Sequence, residues 1–211
     1  MSGEVIPSAI IAGLDEAGRG ALAGPVVAGA CILPTGIPLP RFIRDSKKLT
    51  PEKREEAFIW ITAHCMYGAG IVEAAFIDTY GILPATEKAM QRAVEELAQH
   101  CRPTYLLVDG RDKFWFDYPH TAIIDGDNLE PCISAASIVA KVTRDRLMVQ
   151  LDKTFPQYGW KIHKGYGTPE HFTAIGKFGP SRMHRLTFLS SRETKEPVPQ
   201  SGAAVCTSVR A

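Results

Sequence analysis

No Cys-x-x-Cys pair occurs in this chain, and its five cysteines, Cys31, Cys65, Cys101, Cys132 and Cys206, are scattered and odd in number. That spacing argues against a zinc site and against a disulfide framework, and it favours a reducing compartment. Long apolar runs are missing as well: no stretch approaches the roughly 18 apolar residues a transmembrane helix needs. The opening MSGEVIPSAIIAGLDEAG lacks a basic leading segment, and its apolar run is short and cut by charge, so it does not read as a signal peptide. A cytoplasmic location is the expectation. Nor is there an excess of one charge. Formal net charge is +1, which neither demands nor excludes nucleic acid, because a basic face can be offset by acids elsewhere. No internal repeat is visible.

What is present suits one ordinary domain with a real core: 211 residues, 45% hydrophobic and 22% charged. Ser8 to Leu14 (SAIIAGL) is an Ile-rich apolar run ending in Asp15-Glu16 and reads as a buried strand. Gly18, Gly20 and Gly24-Pro25 mark a turn. Val26 to Leu33 reads as a second strand, antiparallel to the first because the loop is so short. Arg41, Arg44, Lys47 and Lys48 make the end of the next loop basic. Thr50-Pro51-Glu52 signals a helix start, with Thr as N-cap, and that helix is expected to run to about Ala63. Tyr67 to Ala75 reads as a third strand.

Thr86 to His100 has helical periodicity, Thr104 to Val108 is a compact strand closed by Asp109-Gly110, and Thr121 to Ile124 is a further short strand. Ser134 to Leu151 reads as a long helix with Ala135, Ile138, Val142 and Val149 on one face and Lys141, Arg144 and Arg146 toward solvent. HKGYGTPEH is a loop, followed by a short helix from about Pro169 to Phe178. From Ser190 the chain turns polar, with Pro and Gly, and reads as a disordered tail. The expected division is therefore a catalytic domain over residues 1–190 and a tail over 191–211. Strands in a meander, then alternating with helices, imply an α/β layered domain with a mixed sheet.

Asp15, Glu16 and Asp109 close predicted buried strands, and Asp127 follows another inside Asp125-Gly126-Asp127. Sites in open α/β sheets form outside the carboxyl ends of strands. Clustered carboxylates raise one another's pKa unless a cation neutralises them. Hard divalent ions such as Mg²⁺ suit that donor type, and two of them about 3.5–4 Å apart support in-line phosphoryl displacement. The plainer alternative is that Asp109 is a turn residue, that Asp15-Glu16 is a solvated turn with a helix cap, and that Asp125 is only a turn acid.

The segment Asp15-Glu16-Ala17-Gly18-Arg19-Gly20, continuing through Ala21-Leu22-Ala23-Gly24-Pro25-Val26-Val27, closely resembles the opening motif of ribonuclease HII, the bacterial type 2 ribonuclease H. Four more segments follow in the family's order. They are Asp45-Ser46-Lys47-Lys48-Leu49, Val108-Asp109-Gly110, Ala135 to Asp145 (AASIVAKVTRD), and His163-Lys164-Gly165-Tyr166-Gly167-Thr168. One departure is Ala21, where the family commonly has proline.

The resemblance implies a ribonuclease H-like fold, a five-stranded mixed sheet flanked by helices with a helical C-terminal extension. It implies an endoribonuclease that cuts the RNA strand of RNA–DNA hybrids and cuts 5′ of single ribonucleotides embedded in duplex DNA. Asp15, Glu16, Asp109 and Asp127 would bind two Mg²⁺ or Mn²⁺ ions, and the products would carry 5′-phosphate and 3′-hydroxyl ends. Gly18, Arg19 and Gly20 would sense the ribose. Glycine lets backbone approach a sugar closely, and the 2′-hydroxyl separates RNA from DNA. Tyr166 would stack on the neighbouring sugar; outside this motif it reads as a half-buried loop aromatic. Lys47, Lys48, His163 and Lys164 would contact phosphates, with Arg44, Lys141 and Arg144 as further candidates, although Arg144 and Asp145 equally fit a structural ion pair. A monomer is the default.

Three other functions compete. Another nuclease of the same superfold would need no ribose sensor. Ribonuclease HIII normally carries an added N-terminal domain, and the first acid here is already residue 15. A non-catalytic nucleic-acid-binding module would explain the lysines but not acids placed where phosphates approach.

Overall fold

The computed structural model describes residues 9–44 and 49–193. Five strands form one sheet: β1 (Ile11–Ala17), β2 (Val26–Ile32), β3 (Met66–Val72), β4 (Tyr105–Asp109) and β5 (His120–Ile123), in the order β3-β2-β1-β4-β5. β1, β2 and β3 form an antiparallel meander, whereas β4 and β5 run parallel to β1. This is the expected five-stranded mixed sheet. The parallel pairing decides where the chemistry sits. Leu14 faces Val108 and Asp109 faces Ile123, so the carboxyl ends of β1, β4 and β5 share one edge.

The helices of the described residues are α1 (Arg41–Arg44), α2 (Pro51–His64), α3 (Ala74–Tyr80), α4 (Ile82–Ala98), α5 (Gly126–Leu129), α6 (Pro131–Thr154), α7 (Trp160–His163), α8 (Pro169–Phe178) and α9 (Leu186–Glu193). The helix start at Thr50 forms as expected. Its hydroxyl accepts from the Lys53 backbone N–H, and Pro51 occupies the first turn.

α4 packs on one face of the sheet and α6 on the other. Alanine and glycine bring them close. A Cβ at Gly29 would lie 2.2 Å from the Ala136 carbonyl oxygen of α6, and one at Gly70 would lie 1.9 Å from the Ala89 carbonyl oxygen of α4. Either helix therefore rests on bare strand backbone. The core beneath α4 gathers Leu14, Val26, Met90, Leu97 and Leu106, and the core beneath α6 gathers Ile43, Ile61, Ile138 and Val139. A third cluster, Ala23, Met148, Tyr158 and Trp160, joins the C-terminal helices to the turn after β1.

Several boundaries differ from the sequence reading. β3 stops at Val72, and Ala74-Ala75 opens α3 instead of ending a strand. The run AAFIDTY is apolar enough to extend a strand pattern, but it buries Ala74 and Ile77, three residues apart on one helical face. α4 starts at Ile82, ahead of Thr86, because Pro84 is tolerated in a first turn. α6 runs from Pro131 to Thr154, longer at both ends than Ser134 to Leu151. Arg144 is not solvent-facing: it is fully buried. α9 extends to Glu193, past the expected start of a disordered tail. Residues 194–211 of that tail, and Lys47 and Lys48, lie outside the described residues.

Candidate active site

β1 carries Asp15 and Glu16 in its last turn of pleat, next to β2 and β4. Asp109 is the final residue of β4, and its Oδ1 accepts the Asp127 backbone N–H at 3.3 Å. α5 delivers Asp127 from its first turn. Gly126 permits the approach, since a Cβ there would sit 2.7 Å from Ile133 Cδ1 and 3.2 Å from Asp109 Oδ1. Asp127 is buried, whereas Asp125 is exposed and left-handed at φ 53°. Asp125 is thus the turn acid, and Asp127 is the one that faces inward.

Asp15, Glu16, Gly18 and Asp127 line a pocket of about 260 Å³ with Arg54, Ser137, Lys141 and Tyr166. The acids act on one another. Burial holds the Asp15 carboxyl well above its ordinary range, and Glu16, Asp109 and Asp127 push it further in the same direction. Glu16 is raised by burial too, with the Arg19 guanidinium partly offsetting it. Arg19 bridges Glu16 (3.3 Å) and Asp112 (2.8 Å). Among the described residues no three carboxylate, imidazole or thiol groups already converge closely enough to hold one ion. The acids are electrostatic neighbours at one sheet edge rather than a preassembled cage.

Tyr166 is 36% exposed on the rim of the pocket, with Lys141 Nζ 5.8 Å and Arg144 Cζ 5.3 Å from its ring centre. A buried imidazole pair supports its backbone. The Trp160 indole N–H donates to His171 Nε2 (3.0 Å), and His184 Nε2 lies 3.1 Å from the same atom. Ser181 N–H donates to His184 Nδ1 (2.9 Å), which puts the His184 proton on Nε2. His171 must then carry its proton on Nδ1, facing the Tyr166 carbonyl at 2.9 Å.

The other sequence-predicted contacts divide. Lys141 lines the pocket and pairs with Asp145 at 2.8 Å, so Asp145 is not the partner of Arg144. Lys164 lines an adjacent groove with Arg54 and Arg146. His163 turns inward: its Nε2 bonds the Tyr158 carbonyl at 2.8 Å and its ring stacks on His171. The structure does not bring His163 to the carboxylates. Arg54 is the pocket cation the sequence reading missed. It lies on the polar side of α2, with nothing in its spacing to separate it from Lys53 or Glu55.

A family model described as Ribonuclease HII matches residues 12–191. The chain belongs to the ribonuclease HII family. It is therefore a metal-dependent endonuclease of the ribonuclease H type that acts on nucleic acid. Ribonuclease HII of Geotalea daltonii is 51% identical over 186 residues, covering 88% of this chain and 85% of that protein. Ribonuclease HII of Geobacillus kaustophilus is 52% identical over 184 residues, 87% of this chain and 69% of that one. Among solved structures, ribonuclease H2 from Pyrococcus horikoshii OT3 superposes with a TM-score of 0.71 at 26% identity, covering 87% of this chain and 95% of that chain. Bst-RNase HIII in complex with Mn²⁺ shares the fold at a TM-score of 0.66 and 17% identity, over 88% of this chain and 68% of that chain. Among the described residues no helix is long and apolar enough to cross a membrane.

Proposed function

We propose that this enzyme cuts the RNA strand of RNA–DNA hybrids and cuts 5′ of single ribonucleotides in duplex DNA, leaving 5′-phosphate and 3′-hydroxyl ends. In this reading Asp15, Glu16, Asp109 and Asp127 are the catalytic and metal-binding residues and take two Mg²⁺ or Mn²⁺ ions. The observation that carries it is Asp15, a buried carboxylate surrounded by the fields of three others. Such a group is costly alone and is relieved by a hard cation, for which an all-carboxylate donor set is suited. Bound divalent ions supply charge neutralisation, an activated water and stabilisation of the leaving oxygen.

The chain's own groups do the rest. Gly18, Arg19 and Gly20 present backbone to the ribose from the end of β1. Gly18 at φ 95° turns the chain there, and only glycine adopts that conformation without strain. Tyr166 stacks on the neighbouring sugar from the pocket rim. Lys141, Lys164 and Arg54 meet the phosphate backbone, and the sequence resemblance assigns the same role to Lys47 and Lys48.

The test is cleavage of a DNA duplex containing one ribonucleotide, beside an all-DNA duplex, with Mg²⁺, Mn²⁺ or EDTA. A metal-dependent cut 5′ of the ribonucleotide and none on DNA is the expected result. Cleavage of long hybrids with none at the single ribonucleotide would remove the roles given to the Gly18–Gly20 turn and Tyr166. No cleavage of either substrate by folded protein would remove the proposed substrates altogether.

A further inference from the structure

Two arginines are fully buried behind the pocket, and no carboxylate of the described residues forms an ion pair with either. Arg144 comes from α6 and Arg185 from the segment just before α9. Their guanidinium groups are spent on backbone carbonyls. Arg144 donates from Nε to Pro25 (2.9 Å), from Nη2 to Ala23 (3.1 Å) and from Nη1 to Lys164 (3.0 Å). Arg185 donates from Nε and Nη2 to Gly24 (3.1 and 2.9 Å) and from Nη1 to Arg19 (2.9 Å). Three consecutive carbonyls, 23 to 25, are therefore held by two cations.

Burying a charge without a counter-ion is unfavourable, and a fold that needed only packing would place an apolar side chain there. Burial, together with the nearby Arg144 charge, pushes Arg185 down to about 9. What the arginines gain is specific. Every carbonyl they hold lies in the loop between β1 and β2 or in the segment leading to Tyr166, and none lies in a helix or in the five-stranded sheet. These two loops also meet directly. Gly165 O accepts from Leu22 N (2.8 Å) and Ala23 N (3.3 Å). Gly18 sits against Arg144, where a Cβ would come within 2.0 Å of Nε. The Arg144 guanidinium also lies over the Tyr166 ring.

We propose that Arg144 and Arg185 are positioning residues that lock the Gly18–Pro25 loop and the Lys164–Tyr166 segment into one unit, and thereby set the preference for a single ribonucleotide. The preference rests on the ribose-sensing reading above; the locking does not. Planar forks can hold several carbonyls in fixed directions, and a lysine ammonium cannot, although it keeps the charge.

The full-length variants Arg144→Lys and Arg185→Lys separate geometry from charge. Backbone hydrogen exchange is followed by mass spectrometry, and kcat/KM is measured on a single-ribonucleotide duplex and on a long RNA–DNA hybrid. Exchange over 18–25 and 163–168 is expected to rise together in each variant, while α4 stays protected. Single-ribonucleotide cleavage is expected to fall about tenfold more than hybrid cleavage. Wild-type exchange, loosening of one segment alone, or equal loss on both substrates with intact folding would overturn the proposal. Failure of both lysine variants to fold would also overturn it, since the arginines would then serve the fold as a whole. Tyr166→Ala provides the separate control: an unchanged substrate preference there removes the ribose-sensing reading while leaving coupled exchange to stand on its own.

Discussion

At Asp127 the backbone decides between two nearly adjacent acids. Asp125 and Asp127 flank one glycine, and their spacing alone does not say which one turns inward. The left-handed conformation at Asp125 spends that residue on the turn, and the first turn of α5 then carries Asp127 into the pocket. Asp127→Asn is expected to lower kcat by about 10²-fold or more, the scale of losing one preorganised charge-stabilising group. Asp125→Asn, on the surface, is expected to stay within about twofold of wild type. A loss at Asp125→Asn equal to that at Asp127→Asn in steady-state assays would contradict the assignment, and a larger one would reverse it. The placement of Asp15, Glu16 and Asp109 at one end of the sheet was legible without the structure because each follows a short Ile-, Leu- or Val-rich run that reads as a buried strand. Arg54 and Arg144 were not. Helical periodicity sends every arginine to solvent by default, and Arg144 is buried because carbonyls distant in sequence replace its water.

The elements around Tyr166 carry a pH dependence of their own. Burial, above all, pushes His171 and His184 down to about 4, and each ring is neutral in the tautomer its neighbours require. In the unfolded chain a histidine takes up its proton near pH 6.5. The unfolded state therefore binds more protons between about pH 6.5 and 4, so the folded state loses stability as pH falls through that window, by on the order of 3 kcal/mol per ring at most. Asp15 and Glu16, whose carboxyls are raised, act with the opposite sign, so wild type alone does not isolate the histidines. Urea midpoints of wild type and His184→Asn between pH 7 and 4.5 do. The variant is expected to be less stable at pH 7 and to lose less on acidification. A parallel decline in both would dismiss the imidazole pair as the cause. Element placement by sequence was sound to within a residue for β2, β4 and α2, but it put β1 at Ser8 to Leu14, whereas the ladder with β2 carries that strand from Ile11 to Ala17, through Asp15 and Glu16. It failed at α3, a short helix whose apolar residues read equally as strand.

For the whole molecule, the sheet order sets the function. Placing β4 parallel and adjacent to β1 is what brings residue 109 beside residue 15, and no local pattern announces that pairing. α6 and α4 rest on bare glycine backbone on either face of the sheet. The C-terminal helices then hold the Tyr166 rim against the turn after β1. In this account the family's metal-dependent cleavage depends on a carboxylate group that the fold assembles at some cost to itself.

The most direct test of that claim is Asp109→Asn, which removes a charge from the group at nearly constant volume. Cleavage of the single-ribonucleotide duplex is measured with saturating Mg²⁺ or Mn²⁺, beside the thermal midpoint of the metal-free protein in EDTA. The account predicts a fall in kcat of about 10²-fold or more, with a thermal midpoint equal to or above that of wild type, because relief of repulsion at Asp15 favours the metal-free fold. Near-wild-type cleavage by the folded variant would contradict it and place the chemistry elsewhere.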